Sequence, residues 1–344
     1  MHSFRLAILL SSAIICLGGS LCVSANNDQS EPYTFALVGK DDLAYFTQAH
    51  RGCRSAEKEL NDVRCIYRAP KYADGKEQDK LIVELINSGV DGIAVAAINS
   101  KYLSENSLLL AKSKNIPIIS FDSDLDAQTL SRQPDMRLAY IGSDNVKLGE
   151  TFGHQLKILF PNGATICLLS GRPDSMNMME RMQGLRAVLS GDTRTRAPGR
   201  RLQGDRGWSE HSRCPMYNYE DPDIAIRQLG YAISREAGKI QAYISLGGWA
   251  QFQPPKFESM ISEHRSKIDD HNIRLMFADA LFVQLGFIKS GYSAANVRQS
   301  PFEMGRKSIL TLHKIVTGKH YKKLIHTPTT LCTLDNLDEC KSSS

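Results

Sequence analysis

The sequence lacks the short motifs with which most enzymes hold a metal ion, a phosphate group or an activated nucleophile. Its 344 residues contain no CxxC or HExxH segment, no GxSxG turn and no glycine-rich phosphate loop, and its nine histidines are scattered. The sequence therefore does not indicate catalysis that depends on a metal ion, a bound phosphate group or an activated nucleophile. We therefore expect no enzymatic activity, no cofactor and no bound metal.

A strong charge of either sign is absent as well. The 42 Lys and Arg residues nearly balance the 37 Asp and Glu residues, which gives a net charge of +5 at pH 7. The one local basic cluster, residues 194–206, also contains Gly and Pro and is typical of a solvated loop. A surplus this small and this dispersed does not indicate a nucleic-acid-binding protein.

Long apolar runs are also scarce, and the one that is present lies at the N-terminus. Arg5 precedes apolar residues 6–17, and small residues follow up to a Val-Ser-Ala sequence at 23–25. This arrangement is typical of a cleavable signal peptide, and it is shorter than the roughly 20 residues of a membrane-spanning helix. We expect cleavage after residue 25 and a soluble periplasmic protein. Lipidation of Cys22 is disfavoured because Leu21 stands where such motifs need a small residue.

Removal of the signal leaves six of the eight cysteines, in a compartment that permits disulfides. Cys53 and Cys65 lie at opposite ends of a predicted helix and the next strand, while Cys332 and Cys340 flank a short polar segment. Either pair has a spacing compatible with a bridge, but the sequence leaves the connectivity open. Cys167 lies within an apolar run, and we expect a buried core thiol there.

Short apolar runs alternate with longer amphipathic segments through most of the chain. The runs predict strands over 34–38, 92–97, 116–121, 138–141, 164–169, 242–246 and 273–277. The amphipathic segments predict helices over 46–60, 78–88, 104–114, 145–160, 178–189 and 222–237. Strands buried on both faces and separated by helices indicate an α/β protein with parallel sheets, and two such sets indicate two similar lobes.

Polar and aromatic side chains follow these strands, at the sheet edge where open parallel sheets bind ligands. Residues 40–46 follow the first strand, residues 122–124 the third, residues 143–145 the fourth and residues 172–177 the fifth, and Asp279 ends a late one. Aromatic faces pack on the C–H faces of a sugar, and carboxylates, amides and an arginine bond its hydroxyls. The sequence thus predicts a site for a small polyhydroxylated ligand.

Five segments carry a resemblance to a known family: YTFALVGKDDLAYFTQAHRGCRSAEKEL, NSGVDGIAVAAIN, NIPIISFDSD, YIGSDNVKLGE and ERMQGL. Their order and spacing resemble the periplasmic sugar-binding proteins of ABC transporters, in the ribose- and galactose-binding branch, over roughly residues 33–335. The resemblance implies the type I periplasmic binding protein fold, in which two doubly wound parallel-sheet lobes are joined by a three-strand hinge. It places one lobe at 33–143 plus 300–326 and the other at 144–299 plus 327–340, with hinge strands near Ser143, Gln299 and Thr327.

The resemblance also implies a set of ligand contacts. They are aromatic residues that cover the sugar and polar residues that bond its oxygens: Tyr45, Phe46, Trp208 and Trp249, with Asp122, Ser143, Asn177, Arg181, Asp279 and Gln299. The sequence departs from the ribose-type pattern at four positions, near Leu43, Ala96, Ser123 and Gly247. The resemblance therefore does not identify the sugar. Ordinary structural roles stay open: Asp122 and Asp279 as helix caps, Arg181 in a surface ion pair, and Tyr45 with Phe46 as a core pair.

The resemblance implies a monomeric protein that captures a sugar or polyol and delivers it to an ABC transporter permease. An alternative partner is a membrane sensor kinase or chemoreceptor that receives a sugar-like signal. An enzyme of the same shape would need a tuned carboxylate pair such as Asp122 and Asp124. A sugar-responsive transcription factor would begin with a helix-turn-helix instead of a signal peptide.

Overall fold

Fourteen strands and thirteen helices make up residues 31–342, which are the residues that the structure, a computed structural model, describes. The strands are β1 (Tyr33–Val38), β2 (Val63–Arg68), β3 (Gly92–Val95), β4 (Ile118–Phe121), β5 (Tyr140–Gly142), β6 (Thr165–Ser170), β7 (Gln203–Asp205), β8 (Trp208–Glu210), β9 (Met216–Tyr217), β10 (Ala242–Ser245), β11 (Arg274–Ala278), β12 (Ala295–Arg298), β13 (Leu324–His326) and β14 (Thr330–Cys332). The predicted signal peptide, its cleavage site and Cys22 lie outside these residues.

The helices alternate with the strands. They are α1 (Ala44–Leu60), α2 (Gly75–Asn87), α3 (Ser100–Glu105), α4 (Ser107–Ser113), α5 (Ala127–Arg132), α6 (Asn145–Leu159), α7 (Met176–Ser190), α8 (Pro222–Glu236), α9 (Pro254–Glu263), α10 (Arg265–Asp270), α11 (Phe282–Lys289), α12 (Pro301–Val316) and α13 (Leu337–Ser342). Single turns of 3₁₀ helix occur at Trp249–Phe252 and Leu334–Asn336. None of the helices in residues 31–342 combines the length and the apolar character that a membrane crossing needs.

The first sheet has the strand order β13-β5-β4-β3-β1-β2, and all its pairs are parallel. Side chains of β1 alternate between its two faces, as the period of a strand requires. Phe35 and Leu37 pack against α1 and α12, whereas Ala36 and Val38 pack with Ile82 of α2. Both faces are therefore buried under helices, which explains why the sequence of β1 is continuously apolar.

The second sheet has the order β14-β12-β11-β10-β6-β8-β7, with β9 also paired to β6. Only the pairs β12–β14 and β7–β8 are antiparallel. The order in which the chain adds strands reverses between β1 and β3 in one sheet and between β6 and β10 in the other. Each sheet with its helices is called a lobe below, and the predicted doubly wound two-lobe architecture is confirmed.

The chain passes between the two sheets at three places. It leaves the first sheet after β5, returns after β12 through α12, and leaves again after β13 to form β14. Helix α12 belongs to the first lobe because it packs on α1 and on four strands of the first sheet. Three neighbouring connections thus link the lobes.

Helices α6 and α7 pack so closely that only glycine fits at two positions between them. A Cβ atom on Gly149 of α6 would lie 2.1 Å from the carbonyl oxygen of Arg181, and one on Gly184 of α7 would lie 1.9 Å from that of Val146. The close approach of α6 and α7 holds Arg181 beside the start of α6, at the edge of the second sheet.

All seven strands and all six helices predicted from the sequence are present, with shifted ends, and the helix predicted over 104–114 is broken at Asn106 into α3 and α4. The cysteine pairs 53–65 and 332–340 form disulfides. The expectation of a free thiol at Cys167 is wrong. Cys167 is buried in the second lobe but is bonded to Cys214 in the connection between β8 and β9.

Candidate ligand-binding site

A cavity lies between the carboxyl ends of the strands of the two sheets. The first lobe and the second lobe both contribute to its walls. The lining residues are Lys40, Asp41, Tyr45, Phe46, Asp122, Asn177, Met178, Arg181, Glu220, Gly247, Trp249, Phe252, Asp279 and Gln299. Eight of the ten residues predicted from the sequence belong to this set.

The wall on the first lobe includes an aromatic pair and a carboxylate. Tyr45 and Phe46 begin α1 and meet edge to face with ring centroids 5.2 Å apart, and the Tyr45 hydroxyl donates to Oδ1 of Asp122 over 2.9 Å. Burial, and then the Asp122 charge, raise the pKa of Tyr45 well above its ordinary value, so its hydroxyl remains a donor. The aromatic pair belongs both to the core and to the cavity wall.

Two carboxylates occupy matching places in the two sheets. Asp122 follows β4 with φ 56°, and Asp279 follows β11 with φ 69°. Left-handed backbone is uncommon outside glycine, although Asp tolerates it better than most residues. Neither residue is the N-cap of a helix, since α5 is capped by Asp126 and α11 begins after Leu281. The alternative role of helix cap is therefore wrong for both.

Arg181 supplies the main positive charge on the second lobe. It is 2% exposed, which excludes the alternative of a surface ion pair. Its Nε donates to Asn145 over 3.0 Å, Nη1 to the carbonyl of Leu246 over 2.6 Å and Nη2 to Oε1 of Gln299 over 2.7 Å. A guanidinium has five N–H donors, so these three bonds fix its plane and leave two donors for a ligand.

Gln299 connects several of the predicted residues at the second crossover. Its Oε1 accepts from Arg181 and from Ser143 Oγ, the latter over 2.9 Å, and its Nε2 donates to Oδ1 of Asp279 over 2.7 Å. Ser143 does not line the cavity, and its contact with Gln299 orients that amide. Burial raises the pKa of Asp279 to about 6.

Gly248 completes the surroundings of Asp279. Its backbone N–H donates to Oδ2 of that carboxylate over 3.1 Å. A Cβ atom at Gly248 would lie 2.9 Å from the same oxygen, so a larger residue would separate the two groups. The glycines at 247 and 248, which depart from the ribose-type pattern, thus let the backbone approach a site carboxylate.

The remaining predicted residues have different locations. Asn177 lines the cavity and accepts from Ser175 over 2.8 Å and from Ser123 of the other lobe over 3.5 Å, while Trp249 lines the cavity from a 3₁₀ turn. Trp208 does not reach the cavity. It is buried in the core of the second lobe, because β8 pairs with the amino end of β6, through Ile166, whereas the cavity lies at the carboxyl end.

Three charged residues of the cavity are absent from the predicted set. Lys40 Nζ, 2% exposed, lies 3.1 Å from Oε1 of Glu220 and 3.2 Å from Oγ of Ser175, so this ion pair joins the two lobes. Glu220 and its neighbour Tyr219 both have left-handed backbone, with φ 66° and 55°. The role of Lys40 could have been predicted from its position just after β1, but no sequence pattern predicts that Glu220 lines the cavity.

Asp41 is the third of these residues and is 4% exposed. Its Oδ1 accepts from the backbone N–H of Leu43 over 3.0 Å. Burial, and then the charge of Glu220, raise the pKa of Asp41 to about 7. Within residues 31–342, no cluster of side chains has the composition and geometry of a metal site.

The fold and this cavity have counterparts among known proteins. The sequence profile of the periplasmic binding protein domain matches residues 35–320. The xylose/arabinose-binding protein XylF of Sulfolobus acidocaldarius is 26% identical over 109 residues, which are 31% of this chain and 27% of that protein. The aligned part is thus about a quarter of that relative's length.

Solved structures align over nearly their whole length. GanP, a glucose-galactose binding protein from Geobacillus stearothermophilus, is 22% identical with a TM-score of 0.74, covering 89% of this chain and 99% of its own. An ABC transporter solute-binding protein from Agrobacterium vitis, with bound D-fucose, is 17% identical with a TM-score of 0.77, covering 90% and 98%. These relatives are solute-binding proteins and not enzymes. Because the profile spans most of the chain, the protein belongs to the periplasmic binding protein family.

Proposed function

We propose that this protein is exported to the periplasm, captures one small sugar or polyol between its lobes and presents it to the permease of an ABC transporter. One observation carries the proposal: aromatic, carboxylate, amide and guanidinium groups from both lobes line a single cavity between the strand ends. Ligands of open α/β sheets bind at this edge.

The chemistry of the cavity favours a polyhydroxylated ligand. Phe46 and Trp249 offer apolar ring surface, Asp122 and Asp279 accept hydrogen bonds from hydroxyls, and two N–H groups of Arg181 donate to ring or hydroxyl oxygens. The relatives named for xylose, arabinose, glucose and galactose, and the one with D-fucose, are consistent with this class.

Capture by closure of the lobes is part of the proposal. The first lobe comprises residues 33–143 plus 300–326, the second comprises 144–299 plus 327–340, and the hinge lies near Ser143, Gln299 and Thr327. The sheet membership of β5, β12, β13 and β14 supports these bounds. Small-angle scattering tests the motion: a saturating ligand should lower the radius of gyration, and an unchanged radius would contradict closure.

A thermal-shift screen of the mature protein, starting at Asn26, tests the ligand class. A ligand that binds only the folded state stabilises it, by about 2.7 kcal/mol at a hundred times its Kd. At least one sugar or polyol should raise the melting temperature in a concentration-dependent way. If none did while amino acids or dicarboxylates did, the proposed ligand class would be wrong.

A further inference from the structure

The charged groups that line the cavity do not balance. Four carboxylates and two cations contribute to its walls: Asp41, Asp122, Glu220 and Asp279 against Lys40 and Arg181. Lys40 is committed to Glu220, and three of the five donors of Arg181 are bonded to protein acceptors. With a neutral ligand, only proton uptake by the carboxyl groups could offset this excess of buried carboxylate.

The excess is concentrated at Asp41. Among the described residues its carboxylate accepts one hydrogen bond, from Leu43, and that bond uses Oδ1. The second oxygen, Oδ2, has no hydrogen-bond partner in residues 31–342, although the side chain is 96% buried and lines the cavity. Lys40 is the neighbouring residue, but its ammonium contacts Glu220 and Ser175. Asp41 therefore presents an acceptor oxygen without a hydrogen-bond partner to whatever occupies the cavity.

The surface next to Asp41 has the same sign of charge. A neighbouring pocket, called the mouth below, shares Asp41 and Glu220 with the cavity, and its other carboxylates are Asp42, Asp74, Asp221 and Asp223. Lys71 is the one cationic residue among those lining the mouth. Asp74 and Asp221 cap helices, and Asp223 pairs with Lys256. A carboxylate that caps a helix still carries its negative charge. In a chain with a net charge of +5, this local reversal attracts cations.

We propose that the ligand carries an ammonium group, as an amino sugar or aminated polyol does, and that the Asp41 carboxylate binds this group between the two lobes. The proposal rests on the proposed function and specifies the ligand within that class. The raised pKa of Asp41 agrees with the assignment, because a bound ammonium supplies the counter-charge that this buried carboxyl lacks.

Calorimetric titration at pH 7.5 tests the assignment with matched ligands. Glucosamine, galactosamine and an aminated hexitol are compared with their neutral parents and with the N-acetyl forms, which keep the nitrogen but lose its charge. The best aminated ligand should bind at least tenfold more tightly than both its parent and its N-acetyl form. Asp41→Asn should reduce that preference to less than about threefold.

The control is Asp270→Asn, which makes the same change in net charge at an exposed residue at the end of α10. It should retain the full preference for the aminated ligand. If neutral parents bound as tightly as aminated ligands, or if Asp41→Asn kept the preference, the ammonium assignment would be overturned and the proposed function would stand. If no sugar or polyol bound, charged or neutral, the proposed function itself would fail.

Discussion

Replacement of Arg181 by methionine separates the two roles that the structure gives this side chain. Methionine fills a similar volume without the charge or the donors. Three acceptors, on Asn145, Leu246 and Gln299, lose a charge-assisted hydrogen bond of about 1.5–3 kcal/mol each. Because relaxation and the removal of a buried charge recover part of this sum, we expect the free energy of unfolding to fall by about 3 kcal/mol.

Ligand affinity should fall for a separate reason. Two N–H groups of Arg181 are left for the ligand, and one charge-assisted bond already exceeds the roughly 1.4 kcal/mol that corresponds to tenfold in affinity. Arg181→Met should therefore weaken binding by at least tenfold. Affinity is measured by calorimetry well below the melting temperature, and stability by urea unfolding without ligand.

Arg186→Met is the matched control, since Arg186 lies on the same helix and is also buried. Its Nε and Nη2 each lie 2.8 Å from an oxygen of Glu210, and Nη1 donates to the Pro198 carbonyl. Its loss leaves the buried Glu210 carboxylate with only the Leu202 N–H and the more distant Arg201, at 3.8 Å. We expect a loss of stability of about 3–5 kcal/mol with an unchanged Kd. Equal losses of affinity in both variants, or unchanged affinity in Arg181→Met, would refute the role assigned to Arg181.

Three further outcomes are expected. Asp122→Asn should weaken sugar binding by about tenfold in calorimetry, with a loss that is not additive with Arg181→Met because one ligand couples the two sites. Replacing Cys167 and Cys214 by alanine should lower the free energy of urea unfolding by about 4 kcal/mol, against about 2.5 kcal/mol for the C-terminal disulfide, since the sequence separations are 47 and 8. As pH falls from 8 to 5, the ligand-free protein should gain stability, because Asp41 and Asp279, with pKa values raised to about 7 and about 6, take up protons that the unfolded chain binds only at lower pH. Urea unfolding midpoints measure this gain, and Asp41→Asn should make it smaller. A wild-type midpoint that did not change with pH would contradict the prediction.

The strand ends of the site were predictable because two physical rules act together. Strands buried on both faces appear as apolar runs, and the carboxyl ends of parallel strands meet at one edge of a sheet. Asp122 and Asp279 follow such runs directly, so sequence alone placed them near a common cavity. Tyr45 and Phe46 begin the helix after β1 and were predictable for the same reason.

The rest depends on geometry that no local pattern encodes. The position of Trp208 is set by the register of β8 against the start of β6. The sequence around Trp208 has no pattern that predicts this register. Glu220 reaches Lys40 through two consecutive left-handed residues, which propensity does not predict. Cys167 forms a disulfide with Cys214 because the connection between β8 and β9 passes close to β6.

The most direct test of the account is a crystal structure of the mature protein with the sugar or polyol that stabilises it most. The account predicts one ligand between the two sheets, with its oxygens hydrogen-bonded to Asp122 and Asp279 and to a free donor of Arg181. A ligand bound outside this cavity, or within it without contact to any of these three residues, would contradict the account.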